Sequence, residues 1–553
     1  MARWAQAVRS RDQIVLFAPT LEDAIPGDHP VRLFDEVLGR LDFSDWQRRY
    51  FLLDGQPPIH PRVMASVILY GLSLGVRASR KLEYACGNNI DFIWLTEGRV
   101  IDHSTLALFR VKFEVELKGM FRQIGRVAIG MGMANLNQVA LDGTVKRANN
   151  SRFAVARQNT LEQKIAALDQ RVEQLMTEAT AADKKDDELF GESSPTQLPK
   201  QLKDIQARQK RLAAALKKVR ETAAKQEAKG RKSEKGPAVP TTDPDAGMIK
   251  NKTGGTAPNY QVVLTTEGES GLIMDYQTLG HDDEPSAVMP AIENLKAAYQ
   301  SGELAQAEEV QIKELLADSN FNTGPNLEQL KQAGVEPWMA AKSPGLVKPA
   351  EDRDAAASAA LPVATPSEAA DRLESAGNNT SKLPPNTDAL PISARTRALD
   401  KSAFTYDKQA DAYHCPGGRS LPLFKHATDK HPEGPLHYDI YRSTTCGGCA
   451  LMSKCLSGKN IGPGSKRTIR RDEHEPLREE MAARMAAEAG RAKYKRRSFL
   501  AETPFAVFNT TMNIRQLLLR GLNKVNTEIG WICSASNLKK ITRLLAAQRL
   551  ATA

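Results

Sequence analysis

Residues 137–150 read NQVALDGTVKRANN. Val139 and Leu141 alternate with small or polar neighbours, the pattern of a half-buried strand, and Asp142 arrives where that strand is expected to close. Asp-Gly is a common turn pair, so Asp142 and Gly143 taken alone read equally well as a turn. A carboxylate at a strand end, followed by Lys146 and Arg147, also suits chemistry on an anion, and the rest of the chain has to decide.

The chain has 553 residues, enough for several domains, and its 41% hydrophobic content excludes a disordered tail. Lys plus Arg number 76 against 66 Asp plus Glu, a net charge of +10, which makes nucleic acid the default anionic partner. The longest apolar passage, MASVILYGLSLGV at 64–76, is shorter than the ~20 residues a bilayer requires and reads as a buried helix, so no membrane partner is expected. The opening MARWAQAVRSRDQ lacks the apolar core of a signal peptide, and the expectation is a protein that stays in the cytoplasm. Six cysteines in that reducing compartment argue for thiols or metal ligands rather than disulfides.

Outward from 137–150, residues 1–130 carry apolar residues at three- and four-residue intervals, as in HPRVMASVILYGLSLGVRASRKLEYAC and IDHSTLALFRVKFEVELKGMFRQIGRVAI. They predict a helical domain that either grips DNA through surface Arg and Lys, the preferred reading, or only scaffolds, with Asp102, Ser104 and Thr105 as candidate caps. A mixed region of strands and helices begins at 135, its first part running to 340. Within it, at 158–225, Leu161, Ile165, Leu168, Val172 and Leu175 form one heptad seam. Leu198, Leu202, Ile205, Gln209, Leu212, Leu216 and Val219 form another, so the two predict an antiparallel helical hairpin packed on itself.

NYQVVLTTEGESGLIMDYQTLG then reads as a β-hairpin. A helix at about 285–300, a strand closing at Asp318, a helix through NLEQLKQAG and a short strand near VEPWMA follow. Residues 341–403, rich in Ala, Pro, Ser and acid, read as a flexible linker. A Cys-rich insertion spans 404–465, and the last part of the core spans 466–553. That last part opens on a basic helix, RAKYKRRSFLAETPFAVFNTTMNIRQLLLRGLNKV, and ends on the helix SNLKKITRLLAAQRL.

In this order of elements the first and fourth strands can lie side by side, with a helix crossing their ends, so Asp142, Asp318 and Glu502 can meet. Clustered carboxylates repel unless a cation neutralises them, which predicts Mg²⁺ on hard oxygen ligands and phosphoryl transfer on nucleic acid. Arg491, Lys493, Lys495, Arg496 and Arg497 before Glu502 suit a phosphate backbone. Each acid has a plainer reading alone: Asp318 as a helix cap, Glu502 as a solvated helix residue. Asp275, Asp282, Asp283 and the DPD at 243–245 read as turn or surface groups. Cys446-x-x-Cys449 is the short chelating turn that tetrahedral zinc favours, and Cys415 and Cys455 complete a four-thiolate set for structural Zn²⁺. Buried thiols without metal are the alternative. Cys86 and Cys533 read as core.

The segments VALDGTVKRANNS, TTDPDAG, GLIMDYQTLGHDDEPSAVMPAIE, ELLADSNFNTGPNLEQL, CGGCALMSKC, YKRRSFLAETPF and RQLLLRGLNKV resemble, in this order, DDE transposases of bacterial insertion sequences, specifically the insertion-sequence family eleven-eighty-two. IPGDHPVRLFDEV to STLALFR resembles that family's helical end-binding region. The resemblance implies an α/β fold: a ribonuclease-H-like mixed sheet core with an N-terminal helical domain, an inserted helical hairpin and a Cys-rich insertion. It implies a DDE triad on Asp142, Asp318 and Glu502 holding Mg²⁺ or Mn²⁺, and cut-and-join chemistry at the inverted-repeat ends of a mobile element.

Tyr494 and Arg497 match the Tyr-x-x-Arg-x-x-x-x-Glu pattern, which implies that they lie near DNA, as Lys146 and Arg147 do on residue type. The mechanism, two active sites on two ends, implies a homodimer on DNA. Two positions depart from the pattern: Asn509 stands where the family usually has lysine, and Ser319, Asn320 and Phe321 replace a small-Gly-aromatic run. The rival readings are a DNA-binding repressor or domesticated remnant that has lost the reaction, and a ribonuclease-H-fold nuclease that cuts without joining.

Overall fold

In the computed structural model the opening stretch is a ten-residue strand, β1 (Gln138–Arg147), that runs through Asp142 instead of closing there. Asp142 pairs with Leu264 and Gly143 with Val263 in an antiparallel ladder, which excludes the turn and corrects the expected strand end. The partner strand continues opposite β1 as far as Arg147, so the backbone groups beyond Asp142 stay paired. A Cβ at 143 would meet the ends of the Glu284 and Gln261 side chains, which would have to shift to admit it.

The structure describes residues 20–50, 58–190, 200–228, 234–251, 254–281, 283–299, 311–341, 390–393, 396–431, 434–444, 446, 449–456 and 464–552. Most of the expected linker and Asp282 lie outside them. The chain divides into two compact units, one of Met1–Ala223, Ser233–Leu316 and Lys495–Ala553, the other of Ala224–Lys232 and Ala317–Tyr494.

In the first unit, β2 (Val155–Ala156) and β3 (Val239–Pro240) form a short pair. β4 (Gly247–Lys250), β5 (Thr256–Glu267), β6 (Ile273–Leu279) and β7 (Glu314–Ala317) join β1. The order is β4-β5-β1-β7, with β6 also paired to β5 as the expected hairpin. From Pro258 onward β5 is buried at every residue, as a strand between neighbours and covered on both faces must be. Helix Val288–Tyr299 follows the hairpin.

The N-terminal helices belong to this unit too, and the 31-residue helix Leu522–Thr552 ties them to the sheet. It packs on helices Pro30–Gly39, Pro61–Ser73, His103–Lys112 and Glu114–Gly130 and on β6. The stretch expected as one helix from 102 to 129 is broken at Phe113 (φ −113°, ψ 54°), whose ring is buried against Trp46 and Phe109. Asp102 caps the helix that follows it, accepting from the N–H groups of Ser104 and Thr105.

Trp46, 1% exposed, stacks on Phe109 at 5.3 Å and meets Trp531 edge-on at 6.0 Å, so it joins the first helices to the last. Trp46→Ala leaves a cavity that this crowded cluster cannot close and is expected to destabilise the unit by about 3–5 kcal/mol. Urea unfolding followed at Trp531 reads this out, and a loss below about 1 kcal/mol would refute the assignment.

Helices Gln158–Phe190 and Lys200–Ala228 lie antiparallel: Arg220 donates to Glu162 at 3.0 Å, and Gln209 to Asp169 further along. Leu161, Leu212, Ala215 and Val219 are buried between them, with Ile165, Leu168 and Leu216 alongside. All but Ala215 are residues of the two heptad seams, and their pairing is what buries them.

In the second unit, helix Gly324–Gln332 leads to β8 (Glu336–Met339). A separate antiparallel sheet contains β9 (Thr405–Asp407), β10 (Ala412–His414), β11 (Ser420–His431), β12 (Gly434–Arg442) and β13 (Thr468–Asp472) in the order β13-β12-β11-β10-β9. Its core is small: Leu399, Phe404, Tyr413, Leu421, Tyr441 and Ile469.

Two acidic groups expected at the surface are buried. Asp243 is 1% exposed and accepts from the Tyr260 hydroxyl at 2.9 Å and the Gly521 N–H at 3.0 Å. Asp275, on β6, is 8% exposed. Both face elements that arrive from distant parts of the chain, which a local reading of turn residues does not see. Among the described residues no helix is long and apolar enough to cross a membrane.

Candidate active site

Alternation along β1 places Asp142, Thr144 and Lys146 on one face. Beside them stands a π-helical turn, Ser498–Glu502, which in the chain follows helix Glu488–Arg497 and precedes helix Thr503–Thr510. The π-turn has a local cause. Pro504 has no N–H to give Leu500 O four residues back, and that carbonyl accepts from the Thr266 hydroxyl on β5 at 3.2 Å. Arg496 donates to Gly268 O at 2.9 Å, a second tie to the end of β5.

The turn has a consequence for side-chain direction. Five residues apart on an α-helix, Arg497 and Glu502 would diverge by roughly 140°. The wider turn of a π-helix brings positions i and i+5 to one side. The Arg497 guanidinium, 14% exposed, thereby reaches two carboxylates: Nη2 stands 3.2 Å from Glu502 Oε1 and Nη1 stands 3.9 Å from Asp142 Oδ1. Asp142 is also largely enclosed, whereas Glu502 is open to solvent.

Two acids from distant parts of the sequence therefore converge on a single positive charge. Both offer hard oxygen donors at a place that holds a cation already, which is the donor chemistry Mg²⁺ or Mn²⁺ takes. Asp318 belongs to the second unit. It directly follows β7, the strand beside β1, and its carboxylate caps the 3₁₀ turn Ser319–Phe321 through the Ser319 N–H. Phe321 of the departing Ser-Asn-Phe run is fully buried.

The DNA contacts expected from residue type separate into groups. Lys146 is not placed for one: it is 3% exposed, and its ammonium donates to the Asn509 side chain and to Ile514 O at 3.0 Å. Its acceptors come from residues 509–514, so no signal near 146 announces its burial. Asn509, which departs from the family pattern, is the residue that takes up Lys146. Arg497 is engaged by carboxylates. Arg147, at the end of β1, is exposed, as are Arg491, Lys495 and Arg515, while Tyr494 is half-buried. Lys493 lies 4.5 Å above the Trp338 ring.

The expected basic helix 491–525 breaks after Thr510. Asn513 adopts φ 52° and Gly521 φ 85°, and between them Gln516 forms a parallel bridge with Arg147 of β1. A site the sequence reading missed lies at Glu83, Asp102 and His103, where three metal-type ligand atoms lie within 4.8 Å of one another. His103 Nδ1 is 2.9 Å from Glu83 Oε2 and 3.2 Å from Asp102 Oδ2. Only Asp102 had a sequence signal there, as a helix cap.

No match is found among curated proteins. Residues 414–542 match the model described as transposase DDE domain, a span that includes the four clustered cysteines, Tyr494, Arg497 and Glu502. Residues 19–112 match the transposase domain DUF772, which covers the first N-terminal helices. Asp142 and Asp318 lie outside both spans. The two matches, at opposite ends of the chain, together support a DDE transposase.

Proposed function

We propose that the chain is the transposase of an insertion sequence, of the family eleven-eighty-two, that binds the inverted-repeat ends of its element, cleaves them and joins the freed 3′-hydroxyl to target DNA. The observation that carries this reading is the convergence of Asp142 and Glu502 on Arg497. Supporting it are the strand order β6-β5-β1-β7, a hairpin on one side of the first strand and the fourth strand on the other, which fits a ribonuclease-H-like core.

Asp142, Asp318 and Glu502 would hold Mg²⁺ or Mn²⁺, which when bound supplies activation of the attacking oxygen and stabilisation of the leaving one. Arg497 offsets the repulsion between Asp142 and Glu502 and fixes their directions. Arg147, on the same strand as Asp142, and Arg491 and Lys495 on the helix before Glu502, would take the phosphate backbone, with Tyr494 beside them. Water and then the DNA hydroxyl attack in line, so no protein nucleophile is required. Two ends need two active sites, hence a homodimer on DNA.

The test uses labelled inverted-repeat DNA from the flanks of the coding region, a target plasmid and Mg²⁺. Cleavage at the repeat ends and a joined product, both abolished by chelator, are expected. Binding without cleavage under any divalent ion would identify a repressor or domesticated remnant instead, and cleavage without joining a nuclease.

A further inference from the structure

The second unit brings its four cysteines together around one small cavity of about 20 Å³, the size of a single ion or water, lined by Cys415, Cys446, Cys449 and Cys455. They come from three segments: the turn after β10, the loop after β12, and the helical turn Met452–Cys455. The Cys415 turn is closed by Gly418 N–H to Cys415 O at 2.9 Å, with Gly418 at φ 73°. The Arg419 N–H points at the Cys415 sulfur, 3.3 Å away, and the Gly417 N–H also favours its thiolate.

Cys446 and Cys449 are held in a second tight turn by Cys449 N–H to Cys446 O at 3.2 Å. A Cβ on Gly417 would stand 3.6 Å from the Cys449 sulfur and 3.7 Å from that of Cys415, so those two thiols face each other across a bare backbone. All six cysteines of the chain are free thiols.

We propose that Cys415, Cys446, Cys449 and Cys455 form a structural zinc site that staples this unit together, independently of the DNA chemistry. One chelating Cys-x-x-Cys turn, a third sulfur from the turn after β10 and a fourth from a helical turn are the donor set of a closed tetrahedral site, and four thiolates select a soft or borderline ion such as Zn²⁺ over Mg²⁺. Four thiolates on a divalent ion leave a net charge of −2, and a counter-charge is built in. The Arg467 guanidinium lines the cavity, donates to Cys455 O at 2.8 Å, and by its field favours the Cys455 thiolate.

Among the described residues no three of the sulfurs lie within 4.8 Å of one another. Binding therefore draws the sulfurs closer together. This sheet has a reason to need a staple: Cys415 and Cys455 pack directly against a cluster that, among the described residues, holds six buried side chains, thin for five strands.

The experiment is metal analysis of the full-length chain purified without chelator, followed by exchange with Co²⁺. About one zinc per chain is expected, with the cobalt form showing the visible bands and sulfur charge transfer of a tetrahedral thiolate site. Cys446→Ser/Cys449→Ser should lose the zinc, whereas Cys415→His, which keeps a four-ligand Cys₃His set, should retain it. The wild-type cobalt spectrum and the Cys415→His variant decide the matter even if the double variant fails to fold. Iron in place of zinc, a disulfide within the group, zinc unchanged in the double variant, or no metal with all four thiols reactive towards a disulfide reagent would each overturn the proposal.

Discussion

Asp142→Asn and Glu502→Gln are each expected to lower cleavage of inverted-repeat DNA by about 10²–10³-fold or more, while leaving DNA affinity within a few-fold of wild type. Each amide keeps the shape of the side chain and removes its charge. The lost charge falls at the point where Arg497 now joins the two acids, 3.9 Å from Asp142 and 3.2 Å from Glu502. Asp318→Asn belongs to the same series. It should match the other two if the carboxylate after β7 serves the same site, and should cost only the cap of a short 3₁₀ turn if it does not.

Arg497→Lys supplies the control for positioning. It retains a positive charge but has no planar fork with which to reach two carboxylates, so activity should fall without loss of fold. Single-turnover cleavage and thermal unfolding, measured side by side, separate the effects. Full cleavage by Asp142→Asn would end the case for this site.

The second large effect concerns Asp275 and pH. Its carboxyl is buried on β6, and desolvation pushes its pKa up to about 7. Asn294 and Gln277, each 3.4 Å from Oδ2, and the field of Lys118 offset this only in part. An acid whose pKa is raised by folding favours the fold when protonated. Its contribution is therefore complete below the unfolded value of roughly 4 and is lost as pH rises through about 7. Over that window the wild-type chain should lose about 2–4 kcal/mol from this one group.

Asp275→Asn keeps the contacts to its neighbours and cannot ionise, so it should be the more stable protein at pH 8 and nearly equal at pH 4.5. Because histidines titrate in the same range, the measurement is the difference between the two proteins' urea midpoints across pH. Parallel profiles would show that Asp275 does not titrate as stated.

Local pattern made a good part of this molecule legible. The heptad seams announced two helices that must cover each other, since neither can bury its stripe alone. The paired β-rich runs around Gly-Glu-Ser-Gly announced the β5–β6 hairpin, and Asp102 announced a helix start. These features depend on side chains within one or two turns of each other.

What pattern misjudged depends on partners far along the chain. Lys146 looked like a phosphate ligand and is internal, because residues 509–514 return beside β1. Asp243 and Asp275 looked like surface acids and are enclosed by the C-terminal helix, the loop before it and the helices that flank β6. The expected long helix from 491 ends at Thr510, because Gln516 pairs with Arg147 of a strand more than three hundred residues earlier.

By itself the sequence determined the paired helices of the inserted hairpin, the β5–β6 hairpin, the helix start at Asp102 and the residue types able to do chemistry, because those follow from short-range periodicity and side-chain identity. Only the tertiary structure decided which charges face one another: that Arg497 and not Lys146 meets Asp142, and that four thiols share one cavity. Electrostatic partners are fixed by distances of a few ångströms, and those distances are set by packing between segments that share no local signal.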